Sequence, residues 1–223
     1  MMRKRGVHSL GVATGLSLCV VVSASEPSTQ TWLDTPLART EAMALLQTLN
    51  ADLLSHDSAT LTLERWCGAH RMASPARLVA TRVHGADKPM PHDLRAQLEV
   101  GTNEPVKYRR VLLSCGDHVL SEADNWYLPD RLTTAMNLQL DSSDVPFGKV
   151  VQPLHFRRKT LSADLLWSPL PAGWELHRAQ LQPASGPLVM PHLLLQHRAL
   201  LFAGDGRPFS ALVETYTDQV LAF

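Results

Sequence analysis

The chain has 223 residues, with 21 Lys and Arg balanced by 21 Asp and Glu, and no long run of one sign. That neutrality argues against nucleic-acid binding, because phosphate contact leaves a basic face. The length suits one domain of ordinary size with a single sizeable core.

Arg3-Lys4-Arg5 forms a positive start, Leu10 to Val22 is uncharged and apolar, and Val22-Ser23-Ala24 supplies small residues. This pattern predicts a secretory signal peptide over residues 1–24, cut after Ala24 and directing the protein to the periplasm or outside. The apolar stretch is shorter than the roughly 20 residues a membrane span needs. Cys19 raises a lipoprotein reading, but Leu18 stands where a small residue is wanted. With no second hydrophobic span, a soluble, monomeric mature chain is expected.

Residues 25–33 read as a polar, flexible lead-in, and residues 34–223 as one domain. Asp34-Thr35-Pro36 is a helix start, and Leu45, Leu46, Leu49, Leu53 and Leu54 recur at helical spacing, which predicts a helix to Ser55. Thr60 to Trp66 and Arg77 to Val83 read as strands, with a loop containing Gly68 and Pro75 between them. Gly85 to Pro91 is rich in turn residues. Val106 to Cys115 and His118 to Tyr127 predict a hairpin around Gly116-Asp117. Pro129 opens a helix with Leu132, Met136 and Leu140 on one face, and Pro146 opens a helical turn or two through Val151. Strands are then expected at Leu154 to Trp167, Trp174 to Leu181, Leu193 to Phe202 and Phe209 to Leu221, the last two joined at Gly204-Asp205-Gly206. Hairpin-length connections and few βαβ units predict an α+β fold, a mostly antiparallel sheet with helices packed on it. Trp126 and Trp174 fall on strand positions, where core packing is the expectation.

Two distant strands carry charge where a buried strand should not: Arg109 or Arg110 in one, Glu214 in the other. Buried charge is costly unless paired or used. Arg and Glu facing one cavity would suit a small ligand with a carboxylate and a hydroxyl, the guanidinium taking the carboxylate in a fork and Glu accepting from the hydroxyl. Arg109 and Arg110 point to opposite faces, as do Glu214 and Val213. The alternative is that the inward Arg merely pairs with Glu214 or Asp124. Arg157-Arg158-Lys159 reads as a solvated strand end.

Cys67 and Cys115 each precede a Gly at what read as strand ends; an oxidising compartment allows them to bridge, and the alternative is two unpaired, buried thiols. Neither has an obvious activating base nearby. The ten histidines form no His-Glu-x-x-His motif and no Cys-x-x-Cys occurs, so no metal site is expected. No Gly-x-Ser-x-Gly turn marks a nucleophile.

From His56 to the C-terminus, with an insertion before Leu193, the order of these parts resembles the chorismate pyruvate-lyase family, whose fold is shared with effector-binding domains of GntR-type regulators. Asp57-Ser58-Ala59-Thr60 stands where the family has Asp-Ser-Met-Thr. Arg109 precedes Val-Leu-Leu as the ligand-binding arginine precedes Ile-Leu-Leu-Cys. Val145 to Lys149 matches Thr-Pro-Leu-Gly-Arg, and the run from Gly206 ends at Glu214 where the family has its essential glutamate. The resemblance implies a chorismate lyase-like, UTRA-like fold and elimination of pyruvate from chorismate to leave 4-hydroxybenzoate, without a cofactor. It places the ring carboxylate on Arg109 and the ring oxygen on Glu214. The Ala59 segment would act through its main chain, and Phe147 and Gly148 through a loop closing over the ligand. The sequence departs from the family in two places: Asp124-Asn125 stands where relatives have Arg, and Ala59 replaces the loop Met. The alternative function is a non-catalytic periplasmic protein binding or sensing a small aromatic carboxylic acid, and a third reading is a structural envelope protein with a filled pocket.

Overall fold

A computed structural model describes residues 32–85, 87–176 and 186–223. The expected signal peptide, nearly all of the lead-in and residues 177–181 of the strand expected from Trp174 lie outside the described residues.

Helix α1 (Pro36–Ser55) starts where its signals place it, with the Thr35 hydroxyl accepting from the Ala38 N–H at 3.1 Å and Pro36 at the first position. Ala42, Leu46, Leu49 and Leu53 form its buried stripe, while Leu54 lies on the water side. Each such leucine contributes about 1.5–3 kcal/mol by burial.

Helix α2 (Ala59–Ala69) replaces the strand expected from Thr60 to Trp66. The Thr-Leu-Thr-Leu alternation suggests a strand, but Ser58 caps the first turn by accepting from the Leu61 N–H. Ala59, Thr62, Leu63, Trp66 and Cys67 are buried at helical spacing. Packing of that stripe outweighs the strand preference of two threonines.

Six strands form one sheet: β1 (Leu78–Arg82), β2 (Lys107–Cys115), β3 (His118–Tyr127), β4 (Arg157–Leu165), β5 (Leu193–Phe202) and β6 (Pro208–Thr217). Their spatial order is β1-β2-β3-β6-β5-β4, and every neighbouring pair is antiparallel. The fold is therefore α+β with an antiparallel sheet. The hairpin turn at Gly116 has φ of +56°, which glycine adopts without steric cost.

One sheet face packs on α1 and α2 around Val111, Leu113, Ala123, Leu195 and Tyr216. The other face is partly covered by a short helix α3 (His92–Gln97), in a segment for which the sequence predicts no element. Leu94 and Leu98 pack there against Trp126, Leu200 and Ala211. Helices α4 (Thr134–Ser142) and α5 (Phe147–Val150) close the first face near Tyr127 and Phe209. Two sequence expectations fail here. Trp174 begins a short 3-10 turn, not a strand, and its side chain is not in the core, being 44% exposed. The last strand stops at Thr217 and a 3-10 turn follows.

Cys67 and Cys115 are joined as a disulfide, which fastens α2 to the end of β2. Cys67 lies within a helix, not at a strand end. No helix among the described residues is long and apolar enough to cross a membrane.

Candidate functional site

A cavity lies between the first sheet face, the N-terminal end of α2 and helix α5. Its volume is about 40 Å³. Ala59, Arg109, Phe147, Gly148 and Glu214, the five ligand-site candidates from the sequence, all line it. Val111, Leu113, Phe156, Leu201 and Leu212 make most of the remaining wall apolar.

Strand alternation sets the polar residues. Arg109 on β2 pairs across with Asn125 on β3, which pairs with Leu212 on β6; one row along, Ala123 pairs with Glu214 and Glu214 with His197 on β5. Arg110, Glu122 and Asp124 fall on the opposite face. There Asp124 accepts from Lys88 Nζ at 2.7 Å and from the Tyr108 hydroxyl at 2.6 Å, and Arg110 meets both Glu122 and Asp124. Burial pushes the Asp124 carboxyl upward, but the Lys88 and Tyr108 hydrogen bonds outweigh it and hold the group below its usual range. Burial and then Asp124 push the Tyr108 hydroxyl up to about 12. The negative charge next to Asn125 in sequence therefore does not enter the cavity, and only Asn125 lines it.

Arg109 is 2% exposed, and none of its three guanidinium nitrogens has a hydrogen-bond partner among the described residues. It pairs with neither Glu214 nor Asp124. Burial, and then the nearby Arg82, lower its guanidinium below the usual arginine value. An uncompensated buried cation costs several kcal/mol, so the fold gives up stability to keep it there.

Glu214 has a partner that the sequence reading missed. Arg158 Nη2 on β4 lies 2.6 Å from Glu214 Oε2, with the two side chains 3% and 8% exposed. The approach is off the hydrogen-bonding line, so Arg158 Nε and Nη2 remain without a hydrogen-bond acceptor. Burial works against the Arg158 charge, but Glu214 more than offsets it and raises the guanidinium above its ordinary value. The Tyr216 hydroxyl also donates to Glu214 Oε2, at 3.4 Å. Arg158 is thus not a solvated strand-end residue. Alternation could have found it, since three successive basic residues on one strand must turn one inward.

The walls are tied together. Asp57 Oδ1 accepts from the Arg158 backbone N–H at 2.7 Å, joining the loop before α2 to β4. Glu64 on α2 accepts from the Leu78 N–H at 2.9 Å and from Lys149 Nζ on α5 at 2.6 Å. Gly148 permits this close approach: a Cβ there would lie 2.9 Å from Thr60 Oγ1 and 3.1 Å from Ser58 Oγ.

Behind Glu214, fully buried His197 places Nε2 2.8 Å from Asn50 Oδ1 on α1, a contact in which Nε2 carries the proton. Burial, and then Arg158, push its pKa down to about 4. Because the folded value lies below the unfolded value of about 6.5, the unfolded chain binds the extra proton, and stability falls as pH drops from 6.5 towards 4. The loss is expected to approach about 3 kcal/mol near pH 4. His197→Gln should flatten that limb of the melting temperature plotted against pH; an unchanged slope would remove His197 as its source. His192, raised by Glu122 against burial and aided by Asp218, acts in the opposite sense, its contribution fading as pH climbs through its folded value.

Among the described residues, no group of three or more His, Cys, Asp or Glu could hold a metal ion.

No family model matches the sequence. The chain is 56% identical over 197 residues to the uncharacterized protein y4mC of Sinorhizobium fredii, a match covering 88% of this chain and 83% of that protein. The chain belongs to the y4mC family. Among solved structures, the y4mC-family fold is similar to PhnF from Mycobacterium smegmatis, with a TM-score of 0.47 and 13% identity over 81% of this chain and 80% of that one. It is also similar to the C-terminal domain of the histidine utilization repressor from Pseudomonas syringae, with a TM-score of 0.38 and 12% identity over 64% and 92%. The third, the Bacillus subtilis protein YydK, described as a possible transcriptional regulator, gives a TM-score of 0.37 and 15% identity; the match covers 62% of this chain and 57% of YydK. At these scores none of the three assigns a role to a residue of the y4mC-family cavity.

Proposed function

We propose that the cavity binds a small aromatic carboxylic acid, its carboxylate on Arg109 and its ring between Phe147, Phe156 and the aliphatic wall. The observation that carries the reading is Arg109: a buried guanidinium with three unsatisfied donor nitrogens, set beside the apolar wall of the cavity. A carboxylate completes it in a fork, and both charges are then shielded from water. Glu214 accepts from a hydroxyl at the far side of the ring, and the Ala59 and Phe147 segments exclude solvent.

In this reading the protein is exported and acts as a periplasmic binding or sensing protein. The N-terminal pattern of Arg3-Lys4-Arg5 before an apolar stretch supports export, as does the Cys67–Cys115 bridge, since disulfides persist in oxidising compartments.

The second reading is pyruvate elimination from chorismate, with Arg109 and Glu214 as its catalytic pair. It is favoured by their sharing one cavity, as the family resemblance implies, and by Arg158, a second cation in the cavity lining. Against it, Glu214 is engaged by Arg158 and Tyr216, so it is poorly placed to move a proton.

Incubating the purified protein with chorismate and following 4-hydroxybenzoate by chromatography separates the two. The binding reading expects chorismate returned unchanged, with melting raised by 4-hydroxybenzoate. Product that disappears in Glu214→Gln would replace it with the lyase reading.

A further inference from the structure

We propose that the Arg158–Glu214 pair makes this cavity selective for charge: it accepts an acid carrying one carboxylate and rejects an otherwise similar dicarboxylate. This rests on the carboxylate-binding reading and adds a rule about which acids qualify.

The argument is a count of buried charge. Of the buried charged groups in the cavity lining, two are guanidiniums, Arg109 and Arg158, and one is a carboxylate, Glu214, which leaves a single uncompensated positive charge in the buried part of the cavity; Asp57, also in the lining, is exposed at its mouth. One carboxylate on Arg109 neutralises that positive charge. A second carboxylate across the ring would enter on the Glu214 side, where the cation, Arg158, is already held 2.6 Å from Glu214 Oε2. It would meet like charge in a cavity whose remaining wall is mainly apolar, and like charges brought together out of water are strongly disfavoured. Asp57 at the mouth adds negative charge on the same approach, its Oδ1 bound to the Arg158 backbone N–H. A neutral donor at that position has the opposite fate, because Glu214 can accept from it.

The test uses two probes of nearly equal shape, 4-carbamoylbenzoate and benzene-1,4-dicarboxylate, titrated calorimetrically into the purified protein at pH 7, with 4-hydroxybenzoate as reference. The carbamoyl acid should bind at least about 30-fold more tightly than the diacid. Glu214→Gln should reverse the order, the diacid raising the variant's melting temperature while leaving that of the parent unchanged; this readout also works in a weakened fold. Equal affinities for the pair in the parent overturn the charge rule, as does a Glu214→Gln protein that binds 4-hydroxybenzoate but shows no gain for the diacid. If 4-hydroxybenzoate binds the parent and neither probe does, the charge rule alone fails. If no acid binds, the carboxylate reading itself fails and the rule goes with it.

Discussion

Arg109→Met is expected to melt at a higher temperature than the parent protein and to lose binding of small carboxylates. Arg109 is buried with three donor nitrogens unpartnered, so the folded state carries the desolvation of a cation without the compensating attraction. Methionine keeps much of the aliphatic stem and removes the charge. Replacing buried charged groups by apolar ones of similar volume commonly stabilises by about 1–4 kcal/mol. The same change removes the fork that would hold a ligand carboxylate, at a cost of about 3–5 kcal/mol of binding, or a 10²–10⁴-fold weaker dissociation constant. Opposed shifts in stability and affinity mark a residue kept for binding. Thermal melting with and without ligand measures both. A variant that is less stable would mean the guanidinium is integral to the fold.

Replacing both Cys67 and Cys115 by Ser should lower stability by about 4 kcal/mol. Their sequence separation is 48 residues, and closing a loop of that size removes about that much chain entropy from the unfolded state. For a domain of this length each kcal/mol moves the melting temperature by about 2–4 °C, so a fall of roughly 8–16 °C is expected. The bridge also fixes α2, which carries Ala59 and Thr60, against β2, which carries Arg109, so ligand affinity should fall with it. Melting the parent with and without a thiol reductant gives the same comparison without mutation. A melting temperature indifferent to both treatments would show that the two sulfurs are not joined in the folded protein.

The legible parts of the sequence were those whose local chemistry and tertiary role agree. Thr35-Pro36 and the leucine spacing define α1, and Gly116 and Gly204-Asp205-Gly206 mark the two hairpin turns. Periodicity placed Arg109 and Arg110 on opposite faces, and Glu214 and Val213 likewise. The failures are conflicts between levels. Thr60 to Trp66 alternates as a strand does, yet Ala59, Leu63, Trp66 and Cys67 also form a helical stripe, and core packing selects the helix. Helix α3 offers only Leu94 and Leu98 as an apolar signal within a polar segment, too little to stand out over six residues. Arg158 is hidden by its neighbours: a run of three basic residues reads as solvated, although a strand can expose only alternate members. Its partner is 56 positions away on β6, so the pairing becomes visible only when β4, β5 and β6 are set side by side.

The central claim is that Arg109 holds a ligand carboxylate inside this cavity. It is tested most directly by calorimetric titration of 4-hydroxybenzoate into the parent protein and into Arg109→Met under identical conditions. Saturable one-to-one binding to the parent, and binding at least 100-fold weaker to the variant, is the predicted result. Equal affinity in the two proteins, or no binding to the parent by this or any other small aromatic acid, would contradict the claim.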